Sequence, residues 1–325
     1  MDRRDFLKKG TVAAGLAASQ KVLQPLAKAA GRTAPSGSIP KRRLGKTGVE
    51  LSIIGLGGMV VKDVEPRFAS EIVAEAYDRG INYFDVAPTY GNAQERLGPA
   101  LEPYRQKVFL ACKTTKRDKS GAGQELEESL RLLRTDHLDL YQFHAVTTQE
   151  DVEKIFGPDG AMETFQAARQ AGMIRFMGFS AHSVENALAM LDRYAFDTIL
   201  FPTNFVLFSQ ANFGPQVLER ARQKKMGILA LKAMAKTVWP KGMKESDRPN
   251  PKCWYEPAAL PEEATLALRW TLSQRITAAV PPGDEKYFRL AMDVAQKLQP
   301  LQPEEEKTLL ARAAGVEPIF HLAKA

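Results

Sequence analysis

The stretch VFLACKTTKRDKSGAGQELEESLRLLRTDHLDLYQFH, residues 108–144, holds a complete strand, helix and strand in succession. Val108 to Lys113 is a short apolar run of strand length. Gln124 to Leu133 spaces its apolar residues at the helical period, and Leu138 to His144 is a second strand run. A helix between two short apolar runs is the pattern of a parallel sheet covered by helices. Both runs end on a titratable side chain, Lys113 and His144, and the C-terminal strand ends are where parallel α/β folds gather their chemistry.

The same alternation continues on both sides of this unit. Strands are expected at Leu51 to Gly55, Tyr83 to Val86, Val108 to Lys113, Leu138 to His144, Phe176 to Ser180, Thr198 to Phe201, Gly227 to Lys232 and Ile276 to Val280. Helices are expected between and after them at Ala69 to Arg79, Gln124 to Leu133, Met162 to Ala171, Val184 to Arg193, Pro215 to Gln223, Glu262 to Ser273 and Lys286 to Leu298. Eight such units predict an α/β fold, a (β/α)8 TIM barrel closed on itself, with an N-terminal β-hairpin and a C-terminal helical tail. The hairpin is expected at Lys41 to Leu51, plugging the barrel floor. A doubly wound open sheet would carry G-x-G-x-x-G after the first strand, whereas Gly55-Leu56-Gly57-Gly58 has the wrong spacing. Two connections, Ala145 to Gly160 and Ala235 to Pro261, read as long loops at the substrate end of the barrel.

With 325 residues, 44% hydrophobic and 26% charged, the chain has the composition of a soluble globular protein. Of the net charge of +7, residues 1–30 supply more than half, through six basic side chains against two acidic ones. The remainder is too weakly basic to indicate a nucleic-acid partner. Residues 1–30 read as an export signal: a basic start, a short apolar stretch and Ala27-Lys28-Ala29 at the end. Arg3-Arg4 before Phe6-Leu7-Lys8 resembles the twin-arginine pattern, which implies the twin-arginine export machinery as a partner and a periplasmic location. A flexible linker follows at 31–40, and the remaining 41–325 is expected as one barrel domain. The apolar part of the signal is too short for a stable membrane span, and no later segment is longer and apolar enough. Two cysteines, Cys112 and Cys253, cannot build a cysteine-held metal site, and whether they pair with each other is left open.

The residues that carry chemistry sit at successive strand ends. Asp85 and Tyr90 follow the second strand, Lys113 ends the third and His144 the fourth, so all four face one cavity. An isolated tyrosine is a poor acid at neutral pH. A neighbouring ammonium is expected to lower its pKa and fit it to protonate a carbonyl oxygen that receives hydride. Asp85 would hold Lys113 charged, and His144 would aim a hydrogen bond at the developing oxyanion.

Phe84-Asp85-Val86-Ala87-Pro88-Thr89-Tyr90-Gly91, Cys112-Lys113-Thr114 and the run from Ser129 to His144 resemble, in order, the motifs of the aldo-keto reductase family. Gly172 to Ser180 and Pro282-Gly283 extend the resemblance from about Arg43 to Val294. It implies a barrel that binds NADP or NAD across its top and interconverts carbonyls and alcohols, with Asp85, Tyr90, Lys113 and His144 as the catalytic four. Ser180 then matches a carboxamide-binding serine, and Gly57, Gly58, Lys232 and Gly283 complete the expected cofactor side. The family's asparagine, glutamine and ring-stacking aromatic are replaced by Ala181, Leu200 and Leu231. Ala230-Leu231-Lys232-Ala233-Met234 is similar to the branch that carries a C-terminal iron-sulfur cysteine cluster, which this sequence lacks. At the adenosine end, Asp284 favours NAD while Lys286 and Arg289 favour NADP, and NADP is the expectation. Trp239, Trp254 and Tyr255 in the second long loop are candidates to stack on a substrate such as a sugar ring, or else to pack the loop itself. The lost nicotinamide contacts keep a second function open, a redox-sensing or scaffolding barrel. A hydrolase reading finds no paired carboxylates at the strand ends.

Overall fold

The computed structural model describes residues 37–323, so the export-signal reading of 1–30 and most of the 31–40 linker lie outside the described residues. In chain order the first elements are β1 (Lys41–Arg43), β2 (Glu50–Ser52), β3 (Leu56–Gly57), α1 (Pro66–Asp78), β4 (Tyr83–Asp85) and α2 (Ala93–Leu101). Next come β5 (Phe109–Thr114), α3 (Lys119–Leu132), β6 (Leu138–Val146), α4 (Gln149–Phe156), α5 (Ala161–Gln170), β7 (Ile174–Ala181) and α6 (Val184–Arg193). They are followed by β8 (Thr198–Pro202), α7 (Phe205–Ala211), α8 (Pro215–Gln223), β9 (Gly227–Leu231), β10 (Ala235–Val238) and β11 (Tyr255–Pro257). The chain ends through α9 (Pro261–Ser273), β12 (Ala278–Val280), α10 (Glu285–Gln296) and α11 (Pro303–Ala313).

Eight strands form one sheet in the order β12-β9-β8-β7-β6-β5-β4-β3, with every pairing parallel. The two edges meet. Ile54 bridges Ala279 in parallel, Gly55 N donates to Ala279 O at 3.0 Å and Ala279 N donates to Ile53 O at 2.9 Å. The expected (β/α)8 barrel is therefore what forms, with α11 as the C-terminal helical tail. The outer helix α1 turns an apolar stripe to the sheet, with Ala69, Ile72, Val73 and Ala76 at helical spacing.

The interior of the barrel is packed solid by alternate strand residues. Tyr83, Phe109, Phe176, Leu200 and Leu229 fill it, and Leu44 and Leu51 close it from below. Leu44 and Leu51 come from the hairpin that β1 and β2 build, so the floor plug is where the sequence placed it. Its turn needs glycine: Gly45 has φ +52°, and a Cβ there would stand 2.3 Å from Gly227 N.

Several boundaries differ from the sequence expectation: α3 starts at Lys119 rather than Gln124, and α2 is not among the expected helices. Leu51 pairs with Arg42 inside the hairpin, so the first barrel strand starts later, at Leu56, and has two residues. The connection 145–160 holds α4, whose capping box joins Thr148 to Asp151. The connection 235–261 contains the β10–β11 hairpin, which doubles back over the barrel mouth. Cys112 and Cys253 are both free and buried, so they do not pair.

Candidate active site

Because side chains alternate along a strand, a residue two positions after an interior one also faces the interior. Tyr83 and Asp85 on β4, Ala111 and Lys113 on β5, and Leu140, Gln142 and His144 on β6 follow that rule, as do Phe176, Gly178 and Ser180 on β7. The last member of each series is polar, and on β6 Gln142 before it is polar as well. At the floor the positions are apolar and fill the barrel, and at the mouth they are polar and line a cavity of about 200 Å³. Asp85, Tyr90, Lys113 and His144 all line it, together with Ser180, Leu200, Leu231 and Lys232.

Lys113 is fully buried and Asp85 nearly so. The Lys113 ammonium donates to Asp85 Oδ1 and, at 3.1 Å, to Val86 O. The other carboxylate oxygen of Asp85 accepts from Tyr83 Oη and from Gln142 Nε2, each at 3.2 Å. Burial alone would push the ammonium pKa down, but Asp85 with Tyr90 outweighs it and the net direction is up. Lys113 is therefore a fixed positive charge.

Tyr90 lies on the loop between β4 and α2, held by Tyr90 N to Ala87 O at 3.1 Å and Ala93 N to Tyr90 O at 3.1 Å. The Lys113 ammonium is 5.3 Å from its ring centroid, and the His144 ring stands edge-on to it at 5.8 Å. The sequence expectation of a lowered tyrosine pKa is corrected here. Burial raises it, Asp85 adds to the rise, and the opposing pull of Lys113 does not overcome them. Tyr90 rests as a phenol with its proton in place.

His144 is held neutral, its pKa pushed down to about 2 by burial, with the positive charge of Lys113 and then His182, Arg117 and Lys232 contributing. Arg117, paired to Asp151 at 2.9 Å, donates to the His144 carbonyl at 2.7 Å and pins the strand end. The next residue, Ala145, has φ +52°, and its N–H donates to Ser180 Oγ at 2.8 Å. A non-glycine residue in the left-handed region costs on the order of 1 kcal/mol, so the contacts around it must hold it there. Ser180 lines the cavity, and among the described residues its hydroxyl donates to no partner, which leaves that proton for a bound ligand.

On the cofactor side the structure brings some expected residues together and separates others. Gly57, Gly283 and Lys232 line the cavity. Lys232 also has a left-handed φ of +66°, and its ammonium lies 5.0 Å from the Trp254 ring and 4.8 Å from the Tyr255 ring. Burial pushes its pKa down to about 8, with Lys113 adding to the drop and Cys253 opposing it. The three glycines have a packing reason of their own: a Cβ would come within 2.8 Å of Val280 at Gly57, 2.7 Å of Val86 at Gly58 and 2.3 Å of Met59 at Gly283. Asp284, Lys286 and Arg289 stand apart from the cavity lining, at the start of α10. Asp284 caps that helix by accepting from Lys286 N at 3.2 Å, and Arg289 pairs with Glu75 at 2.6 Å and Glu285 at 2.9 Å.

Trp254 and Tyr255 line the cavity, but Trp239 does not. Its indole N–H donates to Cys253 O at 2.8 Å, so it braces the loop that presents them. The same loop is fastened across the mouth by Lys252 Nζ donating to Val60 O at 3.0 Å. Sequence reasoning missed Gln142, two residues before His144, and His182, two after Ser180; strand alternation signals both. His182 stacks on Phe320 at 4.9 Å. Burial, with Lys232, pushes its pKa down to about 3.

Two histidines kept neutral have a consequence for stability. Each titrates near 6.5 in an unfolded chain. Below that pH the unfolded state takes up protons that the native state refuses, so this stability is present above about pH 6.5 and is lost as pH falls. Both rings are partly accessible, which limits the loss to about 1 kcal/mol each between pH 6.5 and 5. Urea midpoints should fall over that interval, and the His144→Gln/His182→Gln variant should flatten the fall. An unchanged slope in the variant would assign the loss to carboxylates instead.

Among the described residues no cluster of His, Cys, Asp and Glu could hold a metal ion, and no helix is long and apolar enough to cross a membrane. A family model described as the Aldo/keto reductase family matches residues 53–292. The uncharacterized oxidoreductase YqkF of Bacillus subtilis (strain 168) is 33% identical over 155 residues, 43% of this chain and 48% of that protein. L-galactose dehydrogenase of Arabidopsis thaliana is 27% identical over 219 residues, 61% of this chain and 66% of that protein. The chain spans about half the length of the Bacillus subtilis relatives it matches first. The solved holo form of aldo-keto reductase AKR11C1 from Bacillus halodurans shares the fold, with a TM-score of 0.67 at 22% identity over 87% of this chain and 99% of that one.

Proposed function

The chain belongs to the aldo/keto reductase family, and from that premise we propose that it is an oxidoreductase interconverting a carbonyl and an alcohol on a small molecule, with a nicotinamide dinucleotide as cofactor. The observation that carries this reading is the buried Asp85–Lys113 pair beside Tyr90 and His144 in one cavity. The donor set fits the cofactor. Leu200, Leu231 and Val280 offer apolar walls to a flat ring, and Ser180 offers a hydroxyl to its carboxamide. Lys232 and Lys252 have no carboxylate partner among the described residues and suit phosphate oxygens.

When bound, the dinucleotide supplies hydride to the carbonyl carbon. Tyr90 gives its phenolic proton to the carbonyl oxygen, so the phenol O–H bond breaks as the alcohol O–H bond forms. The phenolate left behind is stabilised by Lys113, whose charge Asp85 maintains and whose position Val86 O fixes. Neutral His144 donates a hydrogen bond to the same oxygen and orients it without exchanging a net charge. The oxidative direction runs these steps backwards, with the phenolate as base.

The finer reading is an NADP-preferring enzyme acting on a sugar-like substrate in the periplasm after twin-arginine export. Lys286 and Arg289 favour the extra phosphate, on condition that Arg289 leaves Glu75 and Glu285. Stacking by Trp254 and the likeness to L-galactose dehydrogenase support the sugar. Twin-arginine export moves folded proteins, so the cofactor would travel bound and be recycled between two substrates. The test is to denature the protein purified from the periplasm and measure the dinucleotide released. About one equivalent of NADP is expected, and an empty protein with weak affinity for both dinucleotides would contradict the reading.

A further inference from the structure

At the opposite end of the barrel, under the N-terminal strand ends, lies a second cavity of about 420 Å³. Its charged lining is Arg43, Lys46, Arg222, Lys225 and Arg275, and among the described residues no carboxylate lines it. These cations come from four places: the hairpin plug, the last turn of α8, the turn before β9 and the turn before β12. None of those elements contributes a side chain to the cavity at the mouth except through its far strand end.

A purely structural account covers part of this cluster. Helices α8 and α9 end here, and cations at helix C-termini satisfy exposed carbonyls and the dipole. Arg222 does so, donating to Gln274 O at 2.5 Å, with Glu219 3.5 Å from its guanidinium. Neighbouring Arg42, outside the cavity, does the same for Leu272 O at 2.8 Å and Ile276 O at 3.0 Å. Arg43, Lys46, Lys225 and Arg275 do not: among the described residues their side chains make no hydrogen bond or ion pair. The nearest opposing charge in register is Glu50, across the hairpin from Arg43. Lys225 and Arg275 also both have φ +55°, at turns where glycine would be the relaxed choice. Arg222 Nε is buried there with no hydrogen-bond partner among the described residues.

We propose that this floor cavity is a binding site for a phosphate-bearing polyanion, held by Arg43, Lys46, Lys225 and Arg275 around Arg222. A single phosphate cannot meet cations spread around an open cavity of this size, whereas two or three linked phosphates can. The site is exposed, so its attraction is screened over about 8 Å at physiological salt and binding must weaken as salt rises. The chemistry is shared by free oligophosphates and by clustered phospholipid headgroups, and the two sources are separable by experiment.

The test uses the full chain with its mouth saturated by NADP, titrated calorimetrically with inorganic tripolyphosphate at low salt. Saturable binding at one site is expected, weakened about tenfold or more in the Lys225→Gln/Arg275→Gln variant. The Arg43→Gln variant, altered only on the exposed hairpin, should weaken it in the same direction. Carbonyl reduction should be unchanged in both variants, because neither touches the mouth. Co-sedimentation with phosphatidylglycerol vesicles, lost in the variants and displaced by tripolyphosphate, would assign the site to headgroups. Tripolyphosphate binding without co-sedimentation would assign it to free oligophosphates. Absence of saturable binding, or equal binding in folded variants, overturns the proposal.

Discussion

Tyr90→Phe will lower the turnover number for aldehyde reduction by roughly a hundred- to ten-thousand-fold while leaving dinucleotide affinity unchanged. The change removes one oxygen from a residue otherwise held by its ring contacts with His144 and Lys113 and by its backbone hydrogen bonds. The raised pKa of Tyr90 sharpens the expectation. In the resting protein burial keeps the proton on, so the hydroxyl is a ready donor, and Lys113 lowers the cost of the phenolate only once the proton has moved. Phenylalanine can offer neither the proton nor the charge. In a barrel kept for sensing or scaffolding there would be no turnover to lose, and binding would be the same in both proteins. Single-turnover kinetics with prebound cofactor separate these outcomes, because a defect in the proton step appears in turnover and not in affinity.

Lys113→Met is expected to cost about 3–5 kcal/mol of stability, since it leaves the buried carboxylate of Asp85 without its cation. Tyr83 and Gln142 still donate to Asp85, which places the loss toward the lower end. Adding Asp85→Asn should restore much of it, because the double variant buries no charge at all. Urea unfolding of the four proteins closes the cycle. Near-additive losses would mean that the two groups do not act as a pair. Turnover should stay low in all three variants even where stability returns, and that split distinguishes a pair retained for chemistry from one retained for folding.

Much of the fold and half of the site were legible in the sequence because both depend on the two-residue alternation of strands. Lys113 and His144 end apolar runs, and alternation places them above Phe109 and Leu140 in a packed barrel. The same alternation marks Gln142 and His182, but nothing in a glutamine or histidine announces its partner until the neighbouring strands are aligned. The start of the first strand was hidden because Leu51 suits the hairpin and the barrel equally well, and only its pairing with Arg42 decides. Helix α4 was hidden by its brevity, although Thr148 and Asp151 carry its capping signal. Trp239 could not be assigned, because loop residues have no period that fixes their direction; a hydrogen bond to Cys253 O turned it away from the cavity. The direction of the Tyr90 pKa was not legible either. It is set by how deeply the loop packs against the barrel, and the presence of Lys113 in the sequence gives only the opposing contribution. The floor cations lie on segments some 180 and 50 residues apart in the sequence and meet only when the barrel closes.

The most direct measurement of the central claim is isotope transfer: the protein is incubated with nicotinamide dinucleotide carrying deuterium at the transferable position and a panel of sugar and simple aldehydes, and the products are weighed by mass spectrometry. An alcohol bearing one deuterium on the former carbonyl carbon, formed by the native protein and not by Tyr90→Phe, is the result predicted. Recovery of unlabelled aldehyde from a folded, dinucleotide-saturated protein would contradict it.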